Sequence, residues 1–229
     1  MEDISKVTIQ AEPGSVEIDL KRTAVMVIDM QNAFVSKGGM FDLTGRDMDY
    51  IARTVKPNQD IIRAARKKGV KVVYAVHRIT ADMKEIGPMS RFNMTPERMK
   101  NPEVRNGSIL EGTWGTEIID ELKPREDEMV IVKRRFGAFS GTELDMMLRT
   151  FDIRYLIFTG VATNICVETS LREASQLQYL PVLVSDACAA TEQSRQQSSI
   201  DNIKEIFGWV TTSNNILEAL KTDYAKGKK

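Results

Sequence analysis

The sequence predicts a doubly wound α/β fold: a mostly parallel six-stranded sheet with helices on both faces. Three observations carry that expectation. The short apolar runs are nearly continuous rather than alternating, as in parallel strands covered on both sides. The stretches between them space apolar residues by three and four, the helical period. The two kinds of segment alternate along the chain, and right-handed crossovers then lay the helices on both faces of one sheet.

In order, the strand candidates are AVMVID at 24–29, VKVVYAV at 70–76, MVIVK at 129–133, YLIFT at 155–159, LPVLVS at 180–185 and GWVTT at 208–212. Helical spacing covers 51–68, 116–122, 142–149, 164–178, 194–207 and a last stretch near 216–220. Lys67 and Lys68 followed by Gly69 form a helix stop, with cations at the negative end of the dipole and a residue able to turn left-handed. Residues 78–112 do not alternate. They hold Met83, Met89, Met94 and Met99 with Pro88, Pro96 and Pro102, and are read as a rim or lid over a site, or as a subunit contact. The polar, basic end, 221–229, reads as a frayed tail.

A length of 229 residues suits one core, so residues 1–229 are read as a single domain. Lys plus Arg and Asp plus Glu balance at 32 each, and the local KRR at 133–135 reads as a solvated loop end. No long basic stripe interleaved with aromatics points to nucleic acid. Two cysteines fit neither a disulfide framework nor a zinc spacing. The start, MEDISKVTIQ, lacks the pattern of a signal peptide, and no apolar run approaches the roughly 20 residues that span a bilayer. These features predict a soluble protein of the reducing cytoplasm, with no membrane and no nucleic acid as partner.

Ligands of doubly wound sheets bind beyond the carboxyl ends of the strands, and three reactive side chains fall there. Asp29 ends the first strand, Lys133 closes the third, and Cys166 follows the fourth, where YLIFT breaks at Gly160 and a helix starts after Asn164. Each has a bland reading: a turn cap, a snorkelling surface lysine, a small buried hydrophobe. Together, at strands expected to be central, they point at one crevice. A thiol in a first helical turn is expected to have a lowered pKa, from the dipole and the unpaired N–H groups. The trio would support amide hydrolysis through a thioester, with Lys133 favouring the thiolate, Asp29 shuttling the proton and the sulfur attacking the carbonyl.

At AVMVIDMQNAF, VKRRFGAFSGTEL, FTGVATNICVETSLREA and VLVSDACAAT the chain resembles the isochorismatase-like cysteine hydrolases, and the likeness covers nearly all of it. The resemblance implies an isochorismatase-like fold with Asp29, Lys133 and Cys166 as the catalytic trio. It also implies a non-proline cis peptide at Val161–Ala162, with the Ala162 and Cys166 N–H groups as the oxyanion hole. The cysteine argues for an amidohydrolase over a vinyl-ether hydrolase. Nicotinamidase-type members hold a metal through an aspartate and two histidines; here His77 is the single histidine, so no metal and no cofactor is expected. DMQNAF followed by GG, GTW then DEL, FTGVATNICVE and the late FGWV resemble the branch acting on ureidoacrylate and other carbamoyl amides. The implied substrate is a small ureido or carbamoyl acid. Asn32, Phe34, His77, Trp114 and Phe139 flank the trio in sequence and are candidate substrate contacts. Members of the family commonly form homodimers or homotetramers, so a homo-oligomer is expected. Three alternatives stay open: a hydrolase of another small amide (biuret, an N-carbamoyl amino acid, a nicotinamide-like compound), a non-catalytic thiol-based ligand or redox sensor, and an interaction module using the methionine-rich stretch.

Overall fold

The computed structural model describes residues 5–86 and 95–221, and Pro88, Met89, Met94 and nearly all of the tail lie outside them. The chain opens with a feature the sequence reading missed, an antiparallel pair β1 (Lys6–Ile9) and β2 (Val16–Asp19). Each is four residues long and alternates buried with exposed positions, so neither shows the continuous apolar run that marked the other strands.

The six expected strands form β3 (Thr23–Ile28), β4 (Lys71–His77), β5 (Met129–Lys133), β6 (Tyr155–Val161), β7 (Leu180–Ala189) and β8 (Trp209–Thr211). They make one parallel sheet in the order β5-β4-β3-β6-β7-β8. The chain winds outward from β3 in one direction and from β6 in the other. The switch between them opens a crevice at their carboxyl ends.

The faces divide the core. On β3, Val25 and Val27 face one apolar cluster, which includes Ile51 of α2 (Met48–Ala52), Ile61, Ile62 and Ala65 of α3 (Val55–Lys68), and Ile216 and Leu220 of α8 (Ser213–Lys221). Ala24, Met26 and Ile28 face the other, with Leu144 and Leu148 of α5 (Leu144–Thr150), Leu171 and Ala174 of α6 (Glu168–Gln176), and Ile203 at the end of α7 (Gln193–Asn202). A short α1 (Asn32–Val35) follows β3, and α4 (Pro102–Asn106) lies within the stretch read as rim or lid.

Local outcomes differ from the sequence reading in four places. The 51–68 helix is two, with α2 started by the Asp47 carboxylate accepting from Tyr50 N and α3 stopped at Gly69, φ 69°. The 116–122 helix does not form: two single 3-10 turns stand there, Trp114–Thr116 and Asp120–Leu122. Gly115 lies so close to Ser108 O that a Cβ would come within 2.1 Å of it, which fixes this stretch to its neighbour rather than to a helix axis. Strand β6 does not break at Gly160. It runs on to Val161, because a glycine at φ 110° lets the backbone pass Ile28 O where any Cβ would collide at 2.0 Å. Finally β5 is an edge strand rather than a central one.

Candidate active site

The crevice is built from the ends of β3, β4, β5 and β6. Asp29 follows β3 with φ 50°, a left-handed geometry that aspartate tolerates better than most residues, and its N–H donates to Ala75 O on β4. Gln31, fully buried, ties the neighbouring strand end in place: its Oε1 accepts from His77 N at 2.7 Å and its Nε2 donates to His77 O at 3.0 Å. On β5, Lys133 lies in register beside His77 and turns inward. Edge position does not expose it; the side chain is 0% accessible.

Lys133 Nζ lies 2.8 Å from Asp29 Oδ2, an ion pair sealed from solvent, and also donates to Arg135 O at 3.2 Å. Both Asp29 oxygens are buried, and their close contact is the Lys133 ammonium. The Asp29 carboxylate, a His77 ring nitrogen and Cys166 Sγ all lie within 4.8 Å of one another. Cys166 itself sits in one π-type turn, Thr163–Val167, between β6 and α6. Val161–Ala162 is cis.

Two hydrogen-bond sets hold that turn. Asn164 Oδ1 accepts from Thr191 N at 3.0 Å, which joins it to the segment after β7. Ser170 Oγ donates to Cys166 O at 2.6 Å and accepts from Ala138 N at 3.0 Å, which joins it to the segment after β5. Glu173 on the same helix accepts from Phe139 N at 3.0 Å.

Burial governs the electrostatics. It pushes Asp29 above the ordinary carboxylate value while Lys133 pulls it back. Burial would depress Lys133, but the Asp29 charge and the Cys166 sulfur outweigh it and hold the ammonium above its ordinary value. Burial, and next the Asp29 charge, push the Cys166 thiol up, against Lys133. The expectation of a thiol acidified by a helix terminus is therefore reversed: a sulfur without solvent beside a carboxylate keeps its proton. His77 is driven well below its ordinary value by burial, then by the Lys133 charge, and stands neutral. As donors, Asp29, His77 and Cys166 could together hold a soft divalent cation, but Lys133 already places a positive charge on that carboxylate.

The cluster forms the floor of a cavity of about 380 Å³. Phe34 and His77 line it, with Asp29, Ala162 and Cys166. Asn32, Trp114 and Phe139 do not. Asn32 donates to Trp114 O at 3.2 Å, so those two brace each other behind the wall. Phe139 stacks against Tyr179, with ring centroids 5.7 Å apart, in the core under α5 and α6. Sequence reasoning passed over Phe41, Ile165 and Phe136, and three arginines at the rim, Arg46, Arg134 and Arg135. For the last two a signal existed: KRRF continues directly from Lys133, and residues just beyond a strand that ends in the crevice lie at its mouth. Of the rim stretch, Ile79, Ile86 and Ile109 supply wall, with Ile79 paired to Leu110.

Residues 23–215 match the family described as the isochorismatase domain. The ureidoacrylate amidohydrolase RutB of Pantoea ananatis is 35% identical over 218 residues, 93% of this chain and 87% of that protein. Its namesake in Agrobacterium fabrum is 37% identical over 214 residues, 91% and 94% of the two chains. Among solved structures, a cysteine hydrolase from Pseudomonas syringae pv. phaseolicola superposes with a TM-score of 0.77 at 28% identity, covering 89% of this chain and 94% of that one. The N-carbamoylsarcosine amidase of Thermoplasma acidophilum gives 0.65 at 27% identity, covering 84% and 97%. With a match that spans the whole parallel sheet and all three of the clustered side chains, the chain belongs to the isochorismatase family.

Proposed function

We propose that the protein is a cysteine amidohydrolase that cleaves a C–N amide bond of a ureido or carbamoyl compound, the bond type its amidohydrolase relatives are named for, through a thioester. One observation carries this reading. A buried Lys133–Asp29 ion pair, 2.8 Å apart, adjoins the Cys166 sulfur on the floor of a cavity. The relatives named as amidohydrolases and the cysteine-hydrolase neighbour support it.

In the resting site Cys166 is a thiol. Substrate entry brings a carbonyl carbon to the sulfur, and Asp29, within 4.8 Å of it, accepts the thiol proton as the S–C bond forms. Lys133 keeps the cluster's charge balanced, as a carboxylate and a thiol become a carboxylic acid and a thiolate. The Ala162 and Cys166 N–H groups receive the oxyanion, a contribution of about 3–4 kcal/mol per well-aimed donor. The C–N bond then breaks, and Asp29 returns its proton to the departing nitrogen. Water then attacks the thioester and gives one proton to Asp29; the S–C bond breaks, Asp29 passes that proton to the leaving sulfur, and the acid departs with thiol and carboxylate restored. His77, neutral and fixed by Gln31, serves as a wall and polar contact rather than as the base.

One domain does this work, with the segment around 79–86 and 95–112 as the rim. A small-molecule amide is its partner, and a cytoplasmic homodimer or homotetramer is the assembly this reading carries. The test is ammonia release from ureidoacrylate, N-carbamoyl amino acids, biuret and nicotinamide by the protein and by Cys166→Ala. The variant loses at least 1,000-fold in kcat/KM with an unchanged circular dichroism spectrum, in the range seen when a nucleophile acting in a unit is removed. Retained turnover in the variant ends the proposal.

A further inference from the structure

The cavity above the trio is built for more than a small polar acid. Its lining includes the buried Asp29, His77 and Cys166 and three arginines, Arg46, Arg134 and Arg135, of which Arg135 is exposed. The rest of the lining is mostly carbon, with Phe34, Phe41 and Phe136 and with Ile79, Ile86 and Ile109 as its main contributors. Phe34 and Phe41 meet edge to face at 5.0 Å, and Phe136 lies edge-on to His77 at 6.1 Å, so the aromatic wall is packed into place. A three-carbon ureido acid would strip its polar surface against these walls without hydrogen bonds in return, and would leave much of the volume to water.

The rim arginines are not equivalent. Arg46 is paired with Glu192 at 2.9 Å. Arg134 is paired with Glu111 at 2.6 Å and approaches Glu85 at 3.5 Å, and it also donates to Arg78 O. Arg135 is exposed, donates only to the carbonyl of Arg134, and has no carboxylate partner among the described residues. A planar guanidinium with open donors at the mouth of an apolar cavity is a carboxylate receptor.

Resting on the amidohydrolase reading, we infer that the substrate is an amide or N-carbamoyl acid with an aromatic or branched aliphatic body, whose carboxylate is bound by Arg135 at the cavity mouth. The scissile carbonyl then reaches the sulfur at the floor while the apolar body fills the middle. Arg135 is a specificity residue. Lys133 bonds to its main-chain oxygen, so its side chain can be exchanged without touching that contact.

The experiment uses the intact protein and five compounds: N-carbamoyl-phenylalanine, N-carbamoyl-leucine, N-carbamoylglycine, ureidoacrylate, and phenethylurea, which lacks the carboxylate. Ammonia release is expected to show kcat/KM at least tenfold higher for the first two than for N-carbamoylglycine or ureidoacrylate. Arg135→Met raises KM for N-carbamoyl-phenylalanine at least tenfold with kcat changed less than twofold. It leaves phenethylurea unaffected, and Arg135→Lys recovers part of the loss. Calorimetric binding to Cys166→Ala reads the same preference without chemistry. A preference for ureidoacrylate or N-carbamoylglycine, or an equal effect of Arg135→Met on phenethylurea, overturns the inference. If Cys166→Ala binds N-carbamoyl-phenylalanine tightest and yet the intact protein releases ammonia from none of the five, the hydrolase reading fails while the pocket assignment stands.

Discussion

Asp29 and Lys133 show how a charge pair can be structural and chemical at once. Both side chains are shut from water, at 1% and 0% exposure, and among the described residues each is the other's ion-pair partner. Taking ions from water costs several kcal/mol apiece, which their mutual attraction offsets only while both are present. Asp29→Asn and Lys133→Met are therefore each expected to destabilise the protein by about 3–5 kcal/mol. The double variant should cost less than the sum by at least about 2 kcal/mol, since neither ion is then left alone. Urea unfolding of the four proteins measures that coupling, and strict additivity would mean the pair does not share its burial. Asp29, Lys133 and Cys166 were legible together because the first two stand at the ends of nearly continuous apolar runs and the third follows one. What the residue pattern could not show is the sign of the thiol's shift. That depends on the water and the carboxylate around the sulfur, and both arrive from segments distant in sequence.

At the scale of elements, the site depends on how α6 is fastened to the ends of two strands. Ser170 bridges Cys166 O and Ala138 N, so a single hydroxyl fixes the nucleophile turn against the segment that follows Lys133. Ser170→Ala leaves a buried donor and a buried acceptor without that partner and is expected to cost about 1–3 kcal/mol. The urea midpoint should fall with the slope unchanged, whereas an unchanged midpoint would show that the bridge carries nothing. The six parallel strands were readable from sequence because burial on both faces demands apolar residues at every position. The β1–β2 pair was not, since half of its residues face water and four positions are too few to establish a period of two. The 116–122 stretch had helical spacing but not helical surroundings: Ile118 pairs with Gln31 and Asn32 N donates to Glu117 O, contacts that hold the segment beside β3. Trp114 and Phe139 flank the trio along the chain yet face elsewhere, because sequence proximity does not fix the direction of a side chain in an irregular loop.

Across the whole molecule, 32 basic and 32 acidic residues balance, so mild acidification builds little global repulsion. The chain has one histidine, and His77 is the one side chain whose ordinary value, near 6.5, lies between neutrality and the carboxylate range. In the folded protein burial and the Lys133 charge hold it neutral well below that value, whereas in the unfolded chain it takes up a proton near 6.5. The unfolded state thus binds more protons below that pH. Stability from this group is complete above 6.5 and is lost as pH falls, by at most about 1.4 kcal/mol per pH unit. Asp29, raised by burial, works in the opposite direction wherever it titrates, because there the folded state takes up the proton. Comparing the protein with His77→Gln at each pH keeps Asp29 in both and separates the two. The stability difference between wild type and variant should be constant from pH 8 to 7 and then shift against the wild type as pH drops from 6.5 to 5.5. Urea unfolding across that range gives the measurement, and two curves that stay parallel would mean the imidazole is free to charge inside the fold.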